Sequence, residues 1–183
     1  MRPHYVLDAS ALVPVVYPEN PEYRVARRAV IGLLDEQSKG HALLHVPDFC
    51  MAECSKGLAR AAFSRHRDFD DARDEFRQRI LTLSDIVFDS RGGAARRMPL
   101  TKRHFLDVEE IFLMEYALKP RDRQRLSGFD ALIIAMAKRH REHFATDRVF
   151  IVTTDAWLAT VCNENAPDLP RAINTLRDRL PQV

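Results

Sequence analysis

The chain has 183 residues, of which 46% are hydrophobic, so it can bury one sizeable core, and we expect residues 1–183 to form a single domain. Its net charge of +2 excludes a strongly basic protein of the kind that coats nucleic acid, and any polyanion must therefore bind a local basic patch. Three cysteines in no disulfide-like framework, and no apolar run that could span a bilayer, favour a cytoplasmic protein without a membrane segment.

Short apolar strands alternate with helices in the first part of the chain. The first predicted strand covers residues 4–7 and ends at Asp8, where an Ala/Leu/Val stretch begins a helix. The second covers residues 42–46. Pro47-Asp48 is typical of a helix entry, and a helix is predicted over about residues 49–66.

The middle of the chain has weaker signals. A helix is predicted over residues 70–83, followed by a short strand at residues 86–88. A glycine pair, a proline and several arginines within residues 90–102 predict a loop. A helix over about residues 103–118 follows.

The last third returns to clear strand and helix patterns. After a charged connector at residues 119–125, a strongly apolar helix is predicted over about residues 127–141. The clearest strand covers residues 149–153, Asp155 begins another helix, and residues 172–176 are a candidate edge strand. This alternation predicts an α/β fold with a mainly parallel sheet covered on both faces.

Asp8 and Asp155 each follow the last residue of a predicted strand. Ligands bind beyond the carboxyl ends of parallel strands, so both side chains are expected at one edge of the sheet. Glu53 lies early in a helix that also follows a strand, which directs it to the same edge. Taken singly, each aspartate is equally well explained as a helix cap, and Glu53 as a solvated residue near a helix N-terminus.

Asp130 is the most informative carboxylate, because the residues after it, 131–137, form an apolar run. An uncompensated charge in such a helix is costly, so the sequence predicts a partner for it. Ser127 can supply one through a capping-box-like pair, and a cation can supply another; the two are compatible. Four carboxylates that meet at one point favour a hard divalent ion, Mg²⁺ or Mn²⁺, which can activate water to cut a phosphodiester bond.

Four segments resemble, in order, the successive motifs of PIN-domain nucleases: residues 6–10 (VLDAS), 47–53 (PDFCMAE), 129–137 (FDALIIAMA) and 152–155 (VTTD). The resemblance implies a Rossmann-like three-layer α/β/α sandwich and Mg²⁺-dependent endoribonuclease activity. It also implies that Asp8, Glu53, Asp130 and Asp155 are the catalytic and metal-binding residues, with Ser10 and Thr153 as supporting polar residues.

Small bacterial members of this family are commonly VapC-like toxins, which implies an RNA substrate, a cognate antitoxin protein and a homodimer. The chain departs from the compact toxins in residues 65–103, which contain extra material, and in residues 119–126, which are unusually charged. Two alternatives stay open. One is a phosphatase with Asp8 as nucleophile, although position 10 lacks the second aspartate that haloacid-dehalogenase-like enzymes use; the other is an inactive binding module with the same fold.

Two further patterns are weaker. Basic residues cluster at residues 91–104 and again just before Asp130, where Arg121, Arg123 and Arg125 are candidates for contacts with the RNA backbone. Cys50 and Cys54 on one helix and His140 and His143 on another have a spacing that zinc ligands can have, but buried thiols and surface histidines are the ordinary explanation.

Overall fold

The structure, a computed structural model, describes residues 2–88, 95–118 and 125–178. Its centre is a five-stranded sheet in the order β3-β2-β1-β4-β5, in which every neighbouring pair is parallel. The strands are β1 (His4–Leu7), β2 (Leu43–Pro47), β3 (Arg96–Met98), β4 (Val149–Thr153) and β5 (Arg171–Asn174). The helices are α1 (Ala9–Leu12), α2 (Arg24–Ser38), α3 (Asp48–Arg65), α4 (Phe69–Phe88), α5 (Lys102–Leu118), α6 (Gly128–Phe144) and α7 (Ala156–Glu164).

The order of the strands determines where the helices lie. The chain moves outward from β1 to β2 and β3, then returns to β4 on the other side of β1 and continues to β5. Because parallel crossovers are right-handed, this reversal places α1 to α4 on one face of the sheet and α5 to α7 on the other. The helices contact one another within these two groups. The fold is therefore the expected α/β/α sandwich, with a topological switch point between β1 and β4.

The strands bury their side chains on both faces, as expected for a parallel sheet with helices on each side. All four residues of β1 are buried, and so are the last three of β4. In the part of the chain that the structure describes, no helix combines the length and the apolar character that a bilayer crossing needs.

Two local predictions were wrong. The strand predicted at residues 86–88 is the last turn of α4, because Leu83 and Val87 are four positions apart and bury the same helix face. Within the predicted loop, Arg96–Met98 form β3, which pairs with His45–Pro47 of β2. Arginine and methionine do not indicate a strand by themselves, so pairing with the neighbouring strand decides this conformation. Residues 89–94 and 119–124 lie outside the described residues.

Candidate active site

Asp8 lies at the switch point of the sheet. Its backbone N–H bonds to the carbonyl of Val152 at 3.0 Å, so the pairing of β1 with β4 continues to this residue. Its side chain is only 6% exposed, and burial raises the pKa of its carboxyl above the usual value. The hydroxyls of Ser10 and Thr153 both donate to Oδ2, Thr153 at 2.8 Å. The side chain does not cap α1, although Asp8 occupies the N-cap position.

Ser10 and Thr153 connect the two strand ends. Their hydroxyl oxygens lie 3.1 Å apart. The Thr154 N–H donates to Ser10 Oγ at 2.9 Å, and the Asp155 N–H donates to Thr153 Oγ1 at 2.9 Å. The loop after β1 is therefore tied to the loop after β4 through side chains.

Asp155 caps α7, as one of the two interpretations predicts. Its Oδ1 accepts the N–H groups of Trp157 at 2.6 Å and Leu158 at 2.9 Å. Among the described residues, both capping bonds use this one oxygen, so Oδ2 stays open to another ligand.

Asp130 forms the predicted capping box with Ser127. The Asp130 N–H donates to Ser127 Oγ at 3.1 Å, and Asp130 Oδ2 accepts the Ser127 N–H at 2.7 Å. Burial raises the pKa of Asp130, and the charges of Asp8 and Asp155 raise it further. The Asp130 side chain therefore caps α6 and also lies near the carboxylates of Asp8 and Asp155.

Glu53 approaches the same point from α3. Its side chain is half-buried, and its pKa is raised to about 7 by burial and then by the charges of Asp8 and Asp130, against a smaller opposite effect of Lys56. One carboxylate oxygen each of Glu53 and Asp8 and the sulfur of Cys50 lie within 4.8 Å of one another. We call Asp8, Glu53, Asp130 and Asp155 the acidic cluster.

The acidic cluster fits a hard divalent cation. Asp8 and Asp130 raise the pKa of Glu53, and Asp8 and Asp155 raise that of Asp130, which means that these carboxylates repel in the absence of a positive ion between them. Carboxylate oxygens are the donors that Mg²⁺ and Mn²⁺ prefer. Burial raises the pKa of the adjacent Cys50 thiol far above its usual range, and sulfur is a softer donor than Mg²⁺ or Mn²⁺ prefers.

The structure does not form the weak zinc pairing that the sequence allowed. Cys50 lies beside Asp8 at the end of β1. His140 instead contacts His4 at the opposite end of that strand. The cysteine pair and the histidine pair therefore do not share a site.

Glu115 of α5 is a supporting residue that the sequence did not reveal. It is completely buried, and its Oε1 accepts the N–H of Leu126 and the indole N–H of Trp157, both at 2.7 Å. Leu126 immediately precedes the cap of α6, and Trp157 lies in the first turn of α7. Glu115 thus joins the starts of the two helices that present Asp130 and Asp155. The only signal in the sequence is its four-residue spacing from the buried Ile111.

Of the arginines expected to contact RNA, Arg121 and Arg123 lie outside the described residues. The guanidinium carbon of Arg125 lies 4.4 Å from the centre of the Tyr116 ring, just before α6 begins. This contact holds Arg125 near the N-terminal end of α6, where Asp130 lies.

The model of the PIN domain family matches residues 5–156, which include the four carboxylates of the acidic cluster. No curated protein matches the chain.

Two solved structures are similar to this chain. One is the crystal structure of VapBC2 from Rickettsia felis bound to a DNA fragment from their promoter, with 14% identity, a TM-score of 0.52, and coverage of 93% of this chain and 97% of that one. The other is PAE2754 from Pyrobaculum aerophilum, with 15% identity, a TM-score of 0.43, and coverage of 86% and 78%. On the extent of the family match, the chain belongs to the PIN domain family.

Proposed function

We propose that the protein is an Mg²⁺- or Mn²⁺-dependent endoribonuclease whose metal ligands and catalytic residues are Asp8, Glu53, Asp130 and Asp155. The observation that carries this proposal is the meeting of four carboxylates from distant segments at the switch point between β1 and β4, where ligands bind in such sheets. Membership of the PIN domain family, whose usual activity is RNA cleavage, supports the same function.

The three aspartates share one arrangement. Each accepts hydrogen bonds from neighbouring donors: Asp8 from Ser10 and Thr153, Asp130 from Ser127, and Asp155 from the first turn of α7. Their side chains are therefore oriented before an ion binds, which lowers the cost of ordering them. Glu53 completes the cluster from α3.

A bound divalent ion would supply an activated water and stabilise the negative charge that develops on the phosphate. The residues of the chain hold the geometry for that chemistry. Ser10 and Thr153 donate to Asp8 and keep its carboxylate in place, while Glu115 holds α6 and α7 together. Arg121, Arg123 and Arg125 are proposed to contact the RNA backbone, because they precede Asp130 directly in the sequence.

We further propose that the protein is the toxin of a toxin-antitoxin pair, and that it binds a cognate antitoxin and forms a homodimer. The fold similarity to a VapBC complex supports the first proposal. Exposed apolar side chains on α5 and α6 support a protein contact surface: Phe105, Leu106, Leu113, Tyr116 and Phe129. The three thiols are buried and form no disulfide, which supports a cytoplasmic location.

The test is an RNA cleavage assay with single-stranded and structured RNA in Mg²⁺ or Mn²⁺. We expect cleavage that depends on the metal and is lost in Asp8→Asn and in Asp130→Asn. Asp71→Asn, which changes an exposed carboxylate at the start of α4, is the matched control and should cleave normally. RNA binding without cleavage by the wild-type protein would indicate the inactive module. Hydrolysis of a phosphomonoester through an aspartyl intermediate would indicate the phosphatase.

A further inference from the structure

Three histidines from three different elements meet on the sheet face that α6 covers. They are His4 of β1, His45 of β2 and His140 of α6, and we call them the histidine cluster. His4 Nδ1 lies 2.7 Å from His140 Nε2 and 3.2 Å from His45 Nε2. His4 and His45 are both 3% exposed, and His140 is half-buried.

The register of the strands explains how the two strand histidines meet. In the parallel pair of β1 and β2, His4 lies opposite Leu43, and Val6 lies opposite His45. Side chains that are two residues apart in a strand point to the same face, so His4 and His45 share one face of the sheet. His140 then reaches both rings from α6, with ring centres 4.9 Å from His4 and 4.2 Å from His45.

Hydrogen bonds alone do not account for this arrangement. An imidazole nitrogen either donates one N–H or accepts with one lone pair, so His4 Nδ1 cannot form a good hydrogen bond to both Nε2 atoms at once. A metal ion can accept a lone pair from all three nitrogens. In a tetrahedral zinc site with Zn–N bonds of about 2.0–2.1 Å, ligand nitrogens lie about 3.3 Å apart. The 3.2 Å separation is close to that value, whereas the shorter contact would have to open by about 0.6 Å for such a site.

The cluster also has access to a fourth ligand. His45 and His140 line an open cavity of about 770 Å³, together with Met136 and Phe144. The rings of His4 and His140 pack against Phe144, which fixes their orientation on one side. A water molecule or an anion can therefore approach the three nitrogens from the cavity.

The charges around the cavity favour an anionic fourth ligand. Arg96, Arg97, Arg103 and Arg139 line it, with Glu142 as an acidic lining residue. Arg139 is already paired with Asp107 and with Glu142, the latter at 2.9 Å. Arg96 carries a positive charge that acts on all three histidines. This charge opposes a bare cation, and an anion bound to the metal would offset it.

We propose that His4, His45 and His140 bind one transition-metal ion of the Zn²⁺ class, with the fourth coordination position open to the cavity. Three imidazoles select Zn²⁺, Co²⁺, Ni²⁺ or Cu²⁺ over Mg²⁺, which prefers oxygen. The site is separate from the acidic cluster. Its ligands lie at the start of β1, within β2 and in the second half of α6, whereas the carboxylates follow the strand ends or begin α6.

The experiment uses the full chain without a polyhistidine tag, after treatment with a chelator, and Co²⁺ as the probe. Asp8→Asn is the background in every sample, so that binding at the acidic cluster is weakened throughout. We expect one equivalent of Co²⁺ with the intense visible absorption of a four-coordinate site, and displacement of that ion by Zn²⁺. The additional changes His45→Gln and His140→Gln should each remove this absorption. His143→Gln, a histidine of the cavity wall outside the cluster, should keep it.

A second measurement does not depend on whether the histidine variants fold. In the protein with its histidines intact, imidazole ¹⁵N resonances of His4, His45 and His140 should shift on addition of one equivalent of Zn²⁺, while those of His66 on α3's C-terminal side stay in place. Retention of the Co²⁺ absorption in the folded His45→Gln protein would overturn the proposal. Unchanged histidine resonances in the presence of Zn²⁺ would overturn it as well.

Discussion

The acidic cluster and the histidine cluster share two elements and differ in nearly everything else. The strand β1 begins with His4 and ends before Asp8. Helix α6 has Asp130 in its first turn and His140 ten residues later, about 15 Å along the helix axis. Carboxylates occur where strands end and backbone N–H and hydroxyl groups can hold them. His4 and His45 lie within the sheet and His140 packs on them from α6, in a buried region where an uncharged ring is tolerated and an isolated charge is not.

Loss of the carboxylate of Glu53 is expected to have the largest effect. Glu53→Gln should reduce metal-dependent RNA cleavage by at least about 100-fold, which corresponds to about 2.7 kcal/mol of transition-state stabilisation. It should leave Co²⁺ binding at the histidine cluster unchanged. The measurements are initial cleavage rates at saturating Mg²⁺ and the Co²⁺ absorption. The control is Glu109→Gln, an exposed glutamate of α5. A cleavage rate within a few-fold of wild type would remove Glu53 from the active site.

Replacement of Glu115 should lower the stability of the protein. Glu115 joins the start of α6 to α7, and both clusters depend on α6. Glu115→Ala leaves the buried N–H groups of Leu126 and Trp157 without this acceptor. We expect it to lower the free energy of unfolding by roughly 2–5 kcal/mol, measured by urea denaturation. Glu115→Gln keeps an acceptor oxygen and should lose much less. Equal losses of unfolding free energy in the two variants would show that the hydrogen-bond acceptor at position 115 does not account for the effect.

The two clusters should respond to pH with opposite signs in the metal-free protein. The pKa of Glu53 is raised from 4.5 to about 7, so the folded state binds more protons than the unfolded state between these values, and stability falls as pH rises through this window. The effect should be roughly 1–2 kcal/mol after allowance for solvent screening. Glu53→Gln should abolish it in denaturation curves recorded from pH 4.5 to 7. Mg²⁺ affinity should rise over the same range, because the ion requires the ionised carboxylate.

The histidines should make stability depend on pH with the opposite sign. Burial lowers the pKa of His45 from 6.5 to about 3 and that of His140 to about 4. The unfolded state therefore binds more protons below pH 6.5, and stability falls as pH falls through this window. His45→Gln should reduce the loss of stability that occurs below pH 6.5. Glu53→Gln should leave that loss in place and remove the opposite dependence between pH 4.5 and 7. Identical pH profiles for the two variants would contradict the separation of the clusters.

The smallest effect is expected from the arginines before α6. Replacement of Arg121, Arg123 and Arg125 by Gln should weaken RNA binding and reduce the slope of log affinity against log salt by up to about 2, since each contact to a single strand contributes about 0.7. Arg28→Gln, an exposed arginine on α2 at the other face of the sheet, is the control. Fluorescence anisotropy at several salt concentrations measures both quantities, and an unchanged slope would exclude these arginines from the RNA contact.

Much of the fold could be predicted because local patterns and tertiary structure agree. β1 and β4 have the predicted bounds, since a short apolar run flanked by polar residues has one favourable conformation in a parallel sheet. The exceptions are instructive. The final turn of α4 resembles a strand in composition, although Leu83 and Val87 continue the buried face of the helix. β3 resembles a loop, because its conformation depends on pairing with the distant β2. The helix α2 buries Val30 and Leu33 but was not identified from its sequence pattern.

The sequence by itself determined the α/β class, the family and the carboxylates that follow strands, because these depend on residue order and on short motifs. Only the tertiary structure placed Glu115 between two helix starts and brought three histidines together across 41 and 136 residues of chain. The physical reason is that strand register and helix packing decide which side chains share a face. Such long-range contacts leave no periodic trace in a single sequence.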